Sequence, residues 1–244
     1  MDDALITLEY LPQSFKNENG QEYVDFLWDA FRSNYEGGRY QFAMLAFHML
    51  YMSFVYSCVW KIKLGRPDDF AKAILFQQNE KENKFLGATS PFIFSLMLET
   101  EIFNFLRLID GCEKMHTGQY AMLVKERNGI AHSNGSIAFN YQAQADEKIA
   151  KTIEHIIAIQ SHMQPVIHDC LKQFLMGNWN AEEREYFEAE DQIREAFVGR
   201  HYFSQKEIET CLAFDLDTLS GKENFSEMTE LFRTFTDLYH SDEE

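Results

Sequence analysis

Gln41–Trp60 reads QFAMLAFHMLYMSFVYSCVW and carries no charged side chain. As a helix, a run of this length spans roughly 30 Å, enough to cross the apolar core of a bilayer. A helix without a charged face has two homes, lipid or the middle of a protein. The composition separates them. His48, Ser53, Ser57 and the tyrosines Tyr51 and Tyr56, with Tyr40 just before it, make the run polar for a membrane span, while Leu, Ile and Val are few. The reading is therefore a central helix buried on all sides, with no membrane partner.

The rest of the chain has the means to surround such a helix. Its 244 residues include 22 Phe and 11 Tyr for a large core, and only 4 Pro and 12 Gly to interrupt helices. The periodicities predict an all-α bundle. Residues 21–33 place Tyr23, Phe26, Leu27, Ala30 and Phe31 on one stripe. Pro67 opens a short helix to Gln78. Ser90-Pro91 caps a helix over 92–109, with Ile93, Leu96, Met97, Ile102, Phe105 and Leu106 inward. Further helices are expected over 119–132 and 146–176, the latter containing Pro165.

A boundary falls at MGNWNAEE, residues 176–183, and divides a bundle of residues 1–179 from an acidic section of residues 180–244. The section holds 18 acidic and 6 basic residues, so most of the chain's net charge of −17 lies there. That charge argues against non-specific nucleic-acid binding over the whole surface, but leaves room for a local phosphate site in the less acidic front part. NAEEREYFEAEDQIREAF reads as an exposed helix, SQKE as a capping box, and FSEMTELFRTFTDLYH as an amphipathic closing helix led by Phe225, Met228, Leu231, Phe232, Phe235 and Leu238. That last stripe fits either the chain's own core or a regulatory protein partner.

Cys58, Cys112, Cys170 and Cys211 form no CxxC pair, and the opening MDDALITLEYLPQSF shows no signal-peptide pattern, so a cytoplasmic protein with reduced thiols is expected. His155, His162 and His168 lie along one helix at spacings unlike HExxH, and no metal ligand or cofactor is assigned.

The stretch KERNGIAHSNGSI, residues 125–137, carries the chemistry. On a helix Asn128 and His132 share a face, and the long stem of Arg127 reaches toward it. A guanidinium binds phosphate oxygens, and an imidazole moves a proton near neutral pH. Those groups suffice for RNA cleavage without a metal: the 2′-hydroxyl loses its proton and attacks phosphorus, and the 5′-oxygen is protonated as it leaves. One histidine cannot readily stand on both sides of the phosphorus, whereas a two-fold dimer supplies a second copy. The plain alternative is an arginine salt-bridged to Glu126 or Glu101 and a histidine closing a helix.

RNGIAH, residues 127–132, resembles the R-x4-H signature of HEPN domains, including the polar residue after the arginine. The resemblance implies a HEPN-like helical bundle and a metal-independent endoribonuclease that dimerises and pairs its motifs. Such proteins act as toxins and in antiviral defence and abortive infection. It assigns Arg127 to the phosphate and the transition state, His132 to general acid–base catalysis and Asn128 to orientation. Lys125, Ser133 and Asn134 are candidate substrate-binding residues, RNA (tRNA included) is the expected substrate, and a homodimer the expected assembly. The alternative within the same fold is a non-catalytic adaptor that binds a protein through its acidic helical section.

Overall fold

The computed structural model describes residues 2–15, 18–75, 82–131 and 137–240. Among them the chain is all-α, and its only strand-like feature is an isolated bridge between Pro12 and Ser204. The longer α-helices are α1 (Glu18–Glu36), α2 (Tyr40–Gly65), α3 (Pro67–Leu75), α4 (Lys114–Ala131), α5 (Gln142–Asn178), α6 (Gln205–Leu212) and α7 (Phe225–His240).

Helix α2 is the axis of the bundle. Of its most apolar window, 83% is buried inside the fold, which is the environment a helix without a charged face requires. It packs against α1 on one side and α5 on another. At its C-terminal end Gly65 allows the close approach of α5, because a Cβ there would sit 2.8 Å from Cys170 Sγ and 3.2 Å from the Val166 carbonyl oxygen. Helix α5 runs through Pro165 without a break.

Three expectations change. On α1 the buried stripe is Val24, Leu27, Phe31 and Tyr35, while Phe26 is 67% exposed. That set follows the helical repeat, and Phe26 lies on the opposite face. The segment expected as one helix over 92–109 is broken into a 3-10 turn (Pro91–Leu96), a single α turn (Glu99–Ile102) and a second 3-10 turn (Phe103–Leu108), with extended backbone at Met97 and Leu98. Phe94, Ile102, Phe103, Phe105 and Leu106 are all buried, and they do not lie on one helical stripe. Breaking the helix aims each of them inward, so packing overrides the local pattern. Leu96 and Leu98 are left exposed at the break.

The acidic section is the third case. Instead of one exposed helix, residues 181–199 form a 3-10 turn, a bend, a short α turn and the π-helix Gln192–Gly199, in which Ile193, Ala196, Phe197 and Val198 are buried. Phe197 stacks on Phe174 of α5 with ring centroids 4.5 Å apart. Ser204 caps α6 in the expected capping box with Glu207. Met228, Leu231 and Phe235 of α7 are buried, and Phe225, Phe232 and Leu238 pack against the same core. Trp60 Nε1 donates to the Arg200 carbonyl at 3.0 Å, and Lys61 of α2 forms a fully buried ion pair with Glu207 at 3.0 Å. Glu207 is the section's buried charge, and the section's apolar side completes the bundle.

Candidate functional site

Helix α4 carries Arg127 and Asn128 in its last turns and ends, within the described residues, at Ala131. Lys125 is exposed, whereas Arg127 and Asn128 are half-buried. His132, Ser133 and Asn134 lie outside the described residues, so the convergence of Arg127 with His132 stays an expectation from the sequence.

Arg127 is held by a group the sequence did not single out. Its Nη2 donates to Glu99 Oε2, an ion pair in which each side chain is about one-quarter exposed. The same carboxylate oxygen accepts from His48 Nε2 at 3.0 Å. Because the partner is a carboxylate, the His48 proton belongs on Nε2. Burial lowers the His48 pKa below its ordinary value against the opposing pull of Glu99, and nearby Arg127 adds to the lowering. Burial pushes the Glu99 carboxyl up, but the hydrogen bonds and charges of His48 and Arg127 outweigh it and hold the group below the usual carboxylate range. The result is a neutral imidazole, a carboxylate and a guanidinium in series, which fixes Arg127 in one rotamer. Arg127 Nε is buried and has no hydrogen-bond partner among the described residues.

Neither carboxylate proposed for a plain salt bridge takes that role. Glu126 instead accepts from Lys148 and Lys151 of α5, and Glu101 is exposed. Lys148 and Lys151 therefore stand beside the motif helix with their charge partly balanced.

Gln41, at the start of α2, ties the chain on either side of the motif's end. Its Oε1 accepts the Ala138 N–H at 2.8 Å, and its Nε2 donates to the Ile130 carbonyl at 3.5 Å. The two chain ends that flank residues 132–136 are thus clasped by one amide from the central helix. Glu99 also lines a cleft of about 580 Å³, together with Tyr23, Met49, Ser53, Tyr56, Ser90 and Phe92 among others. Burial, reinforced by the negative charge of Glu99, raises the pKa of both the Tyr23 and Tyr56 hydroxyls, so they are donors at neutral pH. Tyr23 and Phe92 meet edge-on at 5.4 Å in the cleft wall.

Among the described residues, the acidic section lies toward the other end of α5. It packs on the C-terminal half of α5, where His168 contacts Phe214 and Phe174 contacts Phe197. Lys148 and His168 are separated by about 30 Å along the helix axis. Among the described residues no hydrogen bond or ion pair joins 181–240 to Arg127.

Of the three histidines on α5, His155 packs on Tyr120 and His168 on Phe214, while His162 lies against His116 of α4. Glu99, His48 and Gln41 were not found from the sequence. His48 carried the one available signal, as a titratable side chain inside an uncharged buried run that must find a partner.

No protein-family model, no curated protein sequence and no solved structure matches the chain.

Proposed function

We propose that the chain is a metal-independent endoribonuclease of HEPN type, acting as a homodimer. The observation that carries the reading is Arg127, the first residue of RNGIAH, paired with Glu99 near the end of a helix with its side chain still about one-quarter exposed. In this scheme Arg127 binds a non-bridging phosphate oxygen and stabilises the charge that builds on phosphorus. Asn128 orients the phosphate or the imidazole. His132 takes the 2′-hydroxyl proton, the 2′-oxygen bonds to phosphorus, and the bond to the 5′-oxygen breaks. The partner subunit's His132 protonates that oxygen, which leaves a 2′,3′-cyclic phosphate and a 5′-hydroxyl. Lys125, Ser133 and Asn134 contribute contacts to the RNA backbone.

The test is incubation of the purified protein with tRNA and total RNA in EDTA, beside Arg127→Ala and His132→Ala. Cleavage by the parent alone supports the reading, and no cleavage, or equal cleavage by the variants, sinks it.

A second reading has its own observation. Arg127 already has a carboxylate partner, so its charge is satisfied without phosphate. A non-catalytic adaptor that uses the same fold to bind a protein is consistent with that pairing. One stoichiometric protein partner together with inert RNA assays would favour it.

A further inference from the structure

Cys112, His116 and His162 come from three elements: the turn before α4, the first turn of α4 and the middle of α5. Each offers one ligand atom, and these atoms all lie within 4.8 Å of one another. The turn that delivers the cysteine depends on Gly111, whose φ of +86° is open to glycine and costly for other residues. The Cys112 N–H closes that turn on the Ile109 carbonyl at 3.1 Å. The two imidazoles meet at 5.0 Å between ring centroids, tilted by 49°. Cys112 is buried and both histidines are half-buried, so the thiol sits at the bottom of the cluster and the rings at its mouth.

We propose that Cys112, His116 and His162 bind one Zn²⁺ per chain, with water in the fourth position. One thiolate and two imidazoles are a donor set for a borderline-soft, tetrahedral cation, whereas Mg²⁺ and Ca²⁺ require oxygen. Zinc bonds to nitrogen and sulfur set donor separations of roughly 3.3–3.6 Å, so the groups close in by about an ångström through side-chain rotation. His116 Nδ1 accepts the Glu113 N–H at 3.1 Å, which places the ring proton on Nε2 in the neutral form. Coordination through either ring nitrogen would end that hydrogen bond and turn the exposed Glu113 amide to water. Cys112 releases its proton to solvent, so binding frees one proton in all. Burial keeps the thiol protonated beforehand, against the opposing charge of Arg107. Burial, with His116 as a neighbour, lowers the His162 pKa and keeps that ring neutral.

The ion would join the turn at 110–113, α4 and α5 at the end of α4 opposite the motif. His116 and Arg127 are about 16 Å apart along the axis, so zinc takes no part in the proposed cleavage and the two claims fail separately. The untagged 244-residue chain is stripped with EDTA, dialysed against Zn²⁺ or Co²⁺ and assayed for bound metal and thermal midpoint. One equivalent of zinc, a raised midpoint, and a cobalt form with tetrahedral d–d bands and a thiolate charge-transfer band are expected. Cys112→Ser should lose the charge-transfer band, and both Cys112→Ser and His162→Asn should weaken binding beyond the roughly 10–100-fold typical of outer-shell changes. His240→Asn, at the exposed end of α7, should bind as the parent does. Circular dichroism of the metal-free variants checks that they fold. Absence of binding in the parent, or binding retained by both ligand variants, overturns the proposal, as does a cobalt spectrum without the thiolate band.

Discussion

Removing Glu99 tests whether Arg127 is held or merely nearby. In Glu99→Ala, His48 Nε2–H loses its acceptor while its ring stays buried, and Arg127 loses its counter-charge. Each lost charge-assisted hydrogen bond is worth about 1.5–3 kcal/mol. Screening at a pair one-quarter exposed reduces the ionic part, so a net loss of about 2–3 kcal/mol is expected. For a chain of this size that lowers the thermal midpoint by roughly 4–12 °C. Glu99→Gln keeps one acceptor oxygen and should fall between parent and alanine variant. The assay is a double-mutant cycle with Arg127→Ala, read by urea unfolding at pH 7. A coupling energy of about 1–2 kcal/mol is expected, whereas additivity within about 0.5 kcal/mol would show that the pair is incidental and refute the reasoning.

The pH dependence has a definite sign. The folded pKa of Glu99 is depressed, so its stabilisation is complete above the ordinary value of about 4.3 and is lost as pH falls through the lower folded value. The gap between parent and Glu99→Ala should hold from pH 7 to 5 and close only in stronger acid. The His48 pKa is also depressed, so its contribution is complete above about 6.5 and declines as pH falls toward the folded value. Mild acid should therefore begin to destabilise the parent before Glu99 titrates.

Lys61→Met leaves the Glu207 carboxylate buried without its cation and should cost about 3–5 kcal/mol in urea unfolding. Lys61→Met/Glu207→Gln should recover most of that loss, and a single variant within about 1 kcal/mol of the parent would contradict the buried pairing. At Gly129 a Cβ would meet nothing within 4 Å. Gly129→Ala should therefore stabilise α4 by about 0.5–1 kcal/mol in the same assay. If RNA or a second copy approaches this face, the same variant should cleave RNA more slowly despite its higher stability. A rate equal to the parent's would show that nothing needs the space.

The parts of the fold legible in the sequence were those set by one segment's own pattern. A charge-free run at 41–60 had to be enclosed, and Ser204 with Glu207 announced a capped helix. Met228, Leu231 and Phe235 kept a single stripe. The broken path over 91–108 was not legible, because its helical spacing looked sound until the separate burial of Phe94 and Phe103 was known. Phe26 misled for a related reason, since its apolar character says nothing of which side of α1 faces the core. At the site, Arg127 and Asn128 were visible through a local motif. Glu99 lies 28 residues before Arg127 and 51 after His48, and that meeting depends on the break at Met97–Leu98 that no local pattern announces. His162 likewise looked isolated on α5 because its neighbours Cys112 and His116 come from other elements.

The most direct measurement is the end chemistry of RNA cut by the EDTA-treated protein, compared with Arg127→Ala and His132→Ala variants that fold as the parent does. The proposed mechanism gives 2′,3′-cyclic phosphate and 5′-hydroxyl ends from the parent. Arg127→Ala should cut at a rate lower by about 100-fold or more, as for loss of a donor to a charged transition state, and His132→Ala should be comparably impaired. Intact RNA, a 3′-hydroxyl product, or undiminished cutting by either variant would contradict it.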